Sequence, residues 1–233
     1  MAEKTHLAII IALPLILNLL VTLALMYSLV SLEEFLRTPF YYTYTYGLML
    51  WPAYHIFLAY LVYHFLRMEG ENLGGIIGPI RDRPWFSLVV NLGLLGLFIL
   101  IFQITEPMIS SVVYGPEWWS QFVTEFQKIP LPHILHGVLI TSLTAGICEE
   151  IVWRGYIQTR LERKFNGRAW MAVVIQAIHF GLWHFISIHA IFTAIFGFAS
   201  GLIYAKTRRL FPIMIAHWMG DVIGFSTLYF SKV

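Results

Sequence analysis

Seven apolar stretches, each close to the length that crosses about 30 Å of hydrocarbon, run along the chain at residues 6–30, 44–66, 85–104, 133–152, 170–185, 190–205 and 210–230. The fourth carries a helical pattern on through Arg160 to Lys164, past its apolar part. Between the second and third, Gly74, Gly75, Gly78 and Pro79 predict a flexible loop. Tyr41, Tyr42, Tyr44 and Tyr46 read as an interfacial aromatic belt. Residues 117–128 space Trp118, Trp119, Phe122, Val123 and Phe126 on one helical face, which predicts an amphipathic helix at the membrane interface. No internal repeat is visible. The pattern predicts an all-α, polytopic transmembrane helix bundle of about seven spans, one integral membrane domain over residues 1–233.

Composition supports that setting. Hydrophobic residues make up 58% of the chain and charged residues 12%, about half the usual charged share of about 25%. The mean hydropathy is +0.72, so the lipid bilayer is the first partner. A net charge of +2 gives no reason to expect nucleic acid. The single cysteine, Cys148, leaves no internal disulfide framework or thiolate metal cluster, and is read as a small packing residue rather than a nucleophile. The first apolar run is too long for a signal peptide core and lacks a small-residue cleavage site, so it is expected to be retained.

The basic residues then orient the bundle. With seven spans, eleven fall on one side: Lys4; Arg67, Arg81 and Arg83; Arg160, Arg163, Lys164 and Arg168; Lys206, Arg208 and Arg209. Three fall on the other: Arg37, Lys128 and Lys232. Basic loops stay in the cytoplasm, which places the N-terminus inside and the C-terminus outside.

Charges within the apolar stretches carry the candidate chemistry, since each costs several kcal/mol at membrane depth. The fourth stretch holds Glu149, Glu150 and Arg154. Glu150 and Arg154 are i,i+4, with the acid first, the better orientation for a pair. Glu149 lies roughly 100° round the helix, free for other work. At about 1.5 Å per residue, Glu149, His184, His217 and Asp221 stand roughly 12–24 Å from their flanking basic clusters, so three helices can bring them to one depth. His217 and Asp221 share a face at i,i+4, as do Phe180 and His184. His179 and His189, five residues either side of His184, are expected to point elsewhere and to be structural. His133 and His136 are expected at the interface.

In order, Glu149-Glu150-x-x-x-Arg154-Gly155, Phe180-x-x-x-His184 and His217-x-x-x-Asp221 resemble the CPBP family of intramembrane endopeptidases, which includes the type II CAAX prenyl endopeptidase and the bacterial ABI proteins. Residues 197–204, Gly-Phe-Ala-Ser-Gly-Leu-Ile-Tyr, are similar to that family too. The likeness covers about residues 143–224. It implies a protease without cofactor or metal, its active site within the membrane, acting on a membrane-associated or prenylated peptide. In that pattern Glu149 with His184 activates a water, and the Glu150–Arg154 pair orients the motif helix. His217 and the residue at Asp221 stabilise the oxyanion, and Phe180 walls the site. The last position is often asparagine in that family. An ionised Asp221 would repel an oxyanion, so it either carries a proton or orients His217.

Two other classes fit the same residues. Two histidines and a carboxylate can make a zinc site, although the HExxH spacing is absent. A non-catalytic ABI-type scaffold or immunity protein could share the fold. A proton-coupled transporter fits less well, because no repeat symmetry is visible.

Overall fold

A computed structural model of the protein describes residues 2–28, 30–80 and 83–231. Arg81 and Lys232, two of the residues in the charge count, lie outside the described residues. Among the described residues every regular element is a helix. In chain order these are α1 (Ala2–Ser28), α2 (Leu32–Arg37), α3 (Pro39–Met68), α4 (Leu73–Ile77), α5 (Pro84–Tyr114), α6 (Trp118–Gln127), α7 (Leu131–Lys164), α8 (Ala169–Leu182), α9 (Ile188–Thr207) and α10 (Phe211–Phe230). All seven apolar stretches are therefore helical. Among the described residues five segments are long and apolar enough to cross a membrane: Glu3–Ala24 within α1, and α3, α5, α7 and α9. The helical bundle is as expected, and by length and composition five of its seven apolar helices meet that standard. α8 has only 14 residues, and α10, at 20 residues, is interrupted by the polar His217 and Asp221.

Many large apolar side chains lie on the outside of the molecule, and polar ones are buried among its apolar core, as suits a protein in lipid. Ile16, Leu20, Trp85, Val89, Leu92, Val112, Ile178 and Phe198 are exposed, while His55, Asn91, Glu106, Gln158 and Gln176 are buried. Between helices in lipid, close packing and internal hydrogen bonds replace hydrophobic transfer as the cohesive force. The chain supplies both. α7 contains three π-helical stretches, Gly137–Thr141, Ala145–Glu149 and Ile151–Gln158, a rare geometry that gathers at functional sites. Each carries a glycine where a neighbour packs in. A Cβ on Gly146 would stand 2.7 Å from the Trp218 backbone nitrogen and 2.9 Å from the Met214 carbonyl of α10. On α9, a Cβ on Gly197 would press on Phe180 of α8. Gln176 donates to the Gly197 carbonyl at 2.8 Å and Gln158 to the Gly201 carbonyl at 3.0 Å, tying α8 and α7 to α9.

Two short elements differ from expectation. The glycine-rich segment at 74–79 contains α4, capped by the Asn72 side chain. Ile76 is buried, Tyr204 donates to its carbonyl, and Leu210 N–H bonds to the Ile77 carbonyl, so the segment is docked on α9 and the start of α10. α6 is the expected amphipathic helix, but Phe122, Val123 and Phe126 face protein. Phe126 packs between the rings of Tyr44 and Phe225. Its neighbour Glu125 accepts from the backbone N–H groups of Phe40 and Tyr41, capping the start of α3.

At one end of α3, Glu69 gathers His6 of α1, Tyr156 and Arg160 of α7, at 2.8, 2.7 and 2.5 Å. Arg160 also reaches Glu71, which Arg163 holds at 2.6 Å. Burial raises the affinity of Glu69 for its proton, but the hydrogen bonds from Arg160, Tyr156 and His6 outweigh it and hold the carboxyl below the ordinary range.

Candidate active site

Glu150 and Arg154 are fully buried. Arg154 Nη1 donates to Glu150 Oε1 at 3.0 Å, and the guanidinium lies 4.1 Å over the centre of the Phe180 ring. The i,i+4 pairing is thus present, and Phe180 serves as a cation–π floor for Arg154 as well as a neighbour of His184. Glu150 Oε1 accepts a second bond, from His217 Nδ1 at 2.8 Å. The acidic residue assigned to Arg154 alone therefore joins α7 to α10.

That bond decides what His217 can do. With the Nδ1 proton given to Glu150, a neutral ring has only a lone pair at Nε2. Yet Nε2 faces two acids, Glu149 Oε2 at 3.9 Å and Asp221 Oδ2 at 3.8 Å. A neutral His217 cannot donate toward them; only a doubly protonated ring can. Both distances are too long for direct hydrogen bonds.

Glu149 is 4% exposed. Its closest polar neighbour is not His184 but His55, whose Nε2 is 3.0 Å from Oε1, although out of line for a hydrogen bond. His55 was not singled out by the sequence, because a lone histidine in an apolar helix has no motif around it. No hydrogen bond or ion pair joins His184 to Glu149.

His184 lies beyond the end of α8, in the turn that leads to α9. Its ring meets Phe180 edge-on at 5.7 Å and Trp183 at 4.8 Å. Its Nε2 is buried without a hydrogen-bond partner. The chain breaks its helix here: Phe185 takes a left-handed φ of 63°, and Ser187 caps α9. His189 therefore does not follow the helical wheel away from His184. The two rings are 5.1 Å apart, and His189 Nδ1 bonds to Glu106 of α5 at 3.0 Å. The expectation for His189 is corrected on that ground. His179 is structural as expected: Nδ1 accepts from Trp153 Nε1, leaving Nε2–H to donate to the Ile11 carbonyl.

Four of the named residues thus form one cluster, Glu149, Glu150, His217 and Asp221, with Arg154 and Phe180 behind it and His184 at its edge. Among the described residues no group of three or more His, Cys, Asp or Glu side chains has the arrangement to hold a metal ion. A buried carboxylate facing a protonatable imidazole and a second acid can take a proton from water and return it to a leaving group.

The family model described as Type II CAAX prenyl endopeptidase Rce1-like matches residues 131–223. All seven residues named from the sequence lie inside that range, and His55 and Glu106 lie outside it. The chain is also similar to a Bacillus subtilis (strain 168) protein named "Putative membrane peptidase YdiL", with 28% identity over 143 residues, covering 59% of this chain and 56% of the relative. The match spans little more than half the length of that relative. No solved structure matches the chain. The motif order and its meeting at one buried cluster agree with the matching family model: residues 131–223 are similar to the Rce1-like type II CAAX prenyl endopeptidases.

Proposed function

We propose that the protein is an intramembrane endopeptidase in which Glu149 is the general base that activates water. The observation that carries this reading is the buried carboxylate of Glu149 beside a His217 ring already anchored by the Glu150–Arg154 pair. A single water oxygen can bridge the gaps of 3.8–3.9 Å between His217 Nε2 and the two acids, and a scissile carbonyl oxygen can accept from His217 and a protonated Asp221. Glu149 Oε2 takes a proton from the water as its oxygen attacks the carbonyl carbon. Protonated His217 donates from Nε2 to the resulting oxyanion. Glu149 then passes its proton to the departing amine as the C–N bond breaks. Asp221 carries a proton in this scheme and gives a second hydrogen bond to the oxyanion, as a buried carboxylic acid can. His184 and Phe180 wall the site, with the free Nε2 of His184 available to aim the water. General-base catalysis and an oxyanion donor are worth roughly 10²–10⁴-fold and 10²–10³-fold respectively.

The substrate proposed is a membrane-associated peptide, prenylated at a C-terminal CAAX sequence or otherwise lipidated, reaching the site from the cytoplasmic side. The Rce1-like match and the name of the Bacillus relative support that class. The excess of basic residues at one end supports a cytoplasmic N-terminus, and single cysteines at Arg163 and Arg208 in a Cys148→Ala background, labelled from each side, test it.

The deciding experiment incubates the purified protein with a farnesylated CAAX peptide, its unprenylated counterpart and a library of membrane-derived peptides, with and without chelator. Cleavage that survives chelation is the expected result. No cleavage of any substrate contradicts the peptidase reading, and cleavage abolished by chelator and restored by zinc contradicts the metal-free mechanism.

A further inference from the structure

One group that touches Glu149 comes from outside the matched domain. His55 of α3 and Glu149 are nearly sealed, with side chains 3% and 4% exposed, and approach to 3.0 Å through Nε2 and Oε1. On the other edge of the ring, Nδ1 lies 3.2 Å from Thr144 Oγ1, which is itself 3.0 Å from the Thr141 carbonyl. A threonine hydroxyl has one proton to give. If Thr144 gives it to His55 Nδ1, the neutral ring keeps its own proton on Nε2, the atom beside Glu149. If Thr144 gives it to Thr141, then Nδ1–H donates to Thr144. A further proton must then sit between Nε2 and Oε1, because a lone pair and a carboxylate repel at that distance out of water. Both arrangements leave a proton at the edge of the His55 ring that faces Glu149.

The surroundings hold the ring there. Tyr54 stacks on Trp183 at 5.7 Å and accepts from its indole N–H, and Trp183 leans on His55 at 5.7 Å. His55 Nε2 is buried without a hydrogen-bond partner, and Glu149 Oε1 is 3.0 Å from it. The contact with Oε1 is close but out of line for a hydrogen bond, as catalytic contacts often are ahead of the transition state.

We infer that His55 is a positioning residue for Glu149: it holds Oε1 and leaves Oε2 facing His217 and the attacking water. The inference rests on the reading of Glu149 as the base. It makes the active site a product of both halves of the chain, with Thr144 of α7 holding the Nδ1 edge of the His55 ring.

The test compares His55→Leu, His55→Gln and Thr144→Val with wild type in kcat, KM and melting temperature. It also follows modification of Glu149 by dicyclohexylcarbodiimide, which adds to protonated carboxyl groups and is read by mass spectrometry. His55→Leu is expected to lower kcat at least about tenfold with little change in KM, and to speed the labelling of Glu149. His55→Gln, whose amide can reach the same oxygen, restores part of both. Wild-type kcat and labelling in His55→Leu overturn the inference. So do equal losses in Leu and Gln with a lowered melting temperature and unchanged labelling. If His55→Leu does not fold, Thr144→Val decides in its place, with a smaller fall in kcat and faster labelling expected and no change in either contradicting it. If wild type cleaves nothing, the peptidase reading fails on its own, and the labelling still decides whether His55 governs Glu149.

Discussion

Glu150 and His217, 67 residues apart in the chain, meet at 2.8 Å through Oε1 and Nδ1. The same oxygen accepts from Arg154 at 3.0 Å. One buried carboxylate thus balances a buried guanidinium and fixes which nitrogen of His217 faces Glu149 and Asp221. Replacing one partner of a buried ion pair costs about 3–5 kcal/mol, because the other charge is left without compensation. Glu150→Gln is therefore expected to lower both the unfolding free energy in detergent and kcat. Loss of activity at unchanged stability would show that Glu150 is not the hub described here.

How close α10 comes to α7 sets the whole cluster, and Gly146 sets that distance. A Cβ there meets the Trp218 nitrogen and the Met214 carbonyl, backbone atoms that cannot rotate away. Gly146→Ala is expected to push α10 back, with a cost of about 1–3 kcal/mol. A fall in kcat of more than about tenfold should accompany it, as His217 leaves Glu149 and Glu150. Retention of wild-type activity and melting temperature in this variant would contradict the packing.

Much of this was legible in the sequence, and the gaps have physical reasons. The Glu150–Arg154 and His217–Asp221 pairs follow from helical spacing within one element, and the sequence places both correctly. The Glu150–His217 bond depends on how α7 and α10 rotate against each other, which spacing within a helix does not encode. His189 was misdirected because the helical wheel ran through residues 183–187, where the backbone turns at Phe185. The glycines at 74–78 suggested mobility, but Tyr204 and Leu210 dock that segment from a distant part of the chain. His55 carries no local signal at all; only the fold brings it to Glu149.

Asp221 stands where the endopeptidases that the chain resembles often have asparagine. Its Oδ2 is 3.8 Å from the same His217 nitrogen that faces Glu149. Since Glu150 already holds Nδ1, orientation of the ring does not require Asp221. Asp221→Asn supplies an amide donor of similar shape at every pH, so kcat should persist across the pH range. A pH–rate profile with a loss of about 10²-fold or more at every pH would contradict the protonated-donor role.

Acid should loosen the end of the bundle around Glu69. Its carboxyl is held below the ordinary range, so it stabilises the fold above the unfolded value of about 4.3. That stability is lost as pH falls through the lower folded value. Glu69→Gln is expected to lower the melting temperature at pH 7 and to shrink the wild-type loss of stability below about pH 4.3. An acid limb identical to wild type would mean that the cluster with His6, Tyr156 and Arg160 does not contribute.

The central claim is that Glu149 is the base, and Glu149→Gln tests it most directly, since glutamine keeps the shape and the contact with His55 while removing the basicity. Hydrolysis of whichever peptide the wild type cleaves should fall by about 10²–10⁴-fold, with the melting temperature and KM close to wild type. Cleavage at near wild-type rate by a folded Glu149→Gln protein would contradict the account.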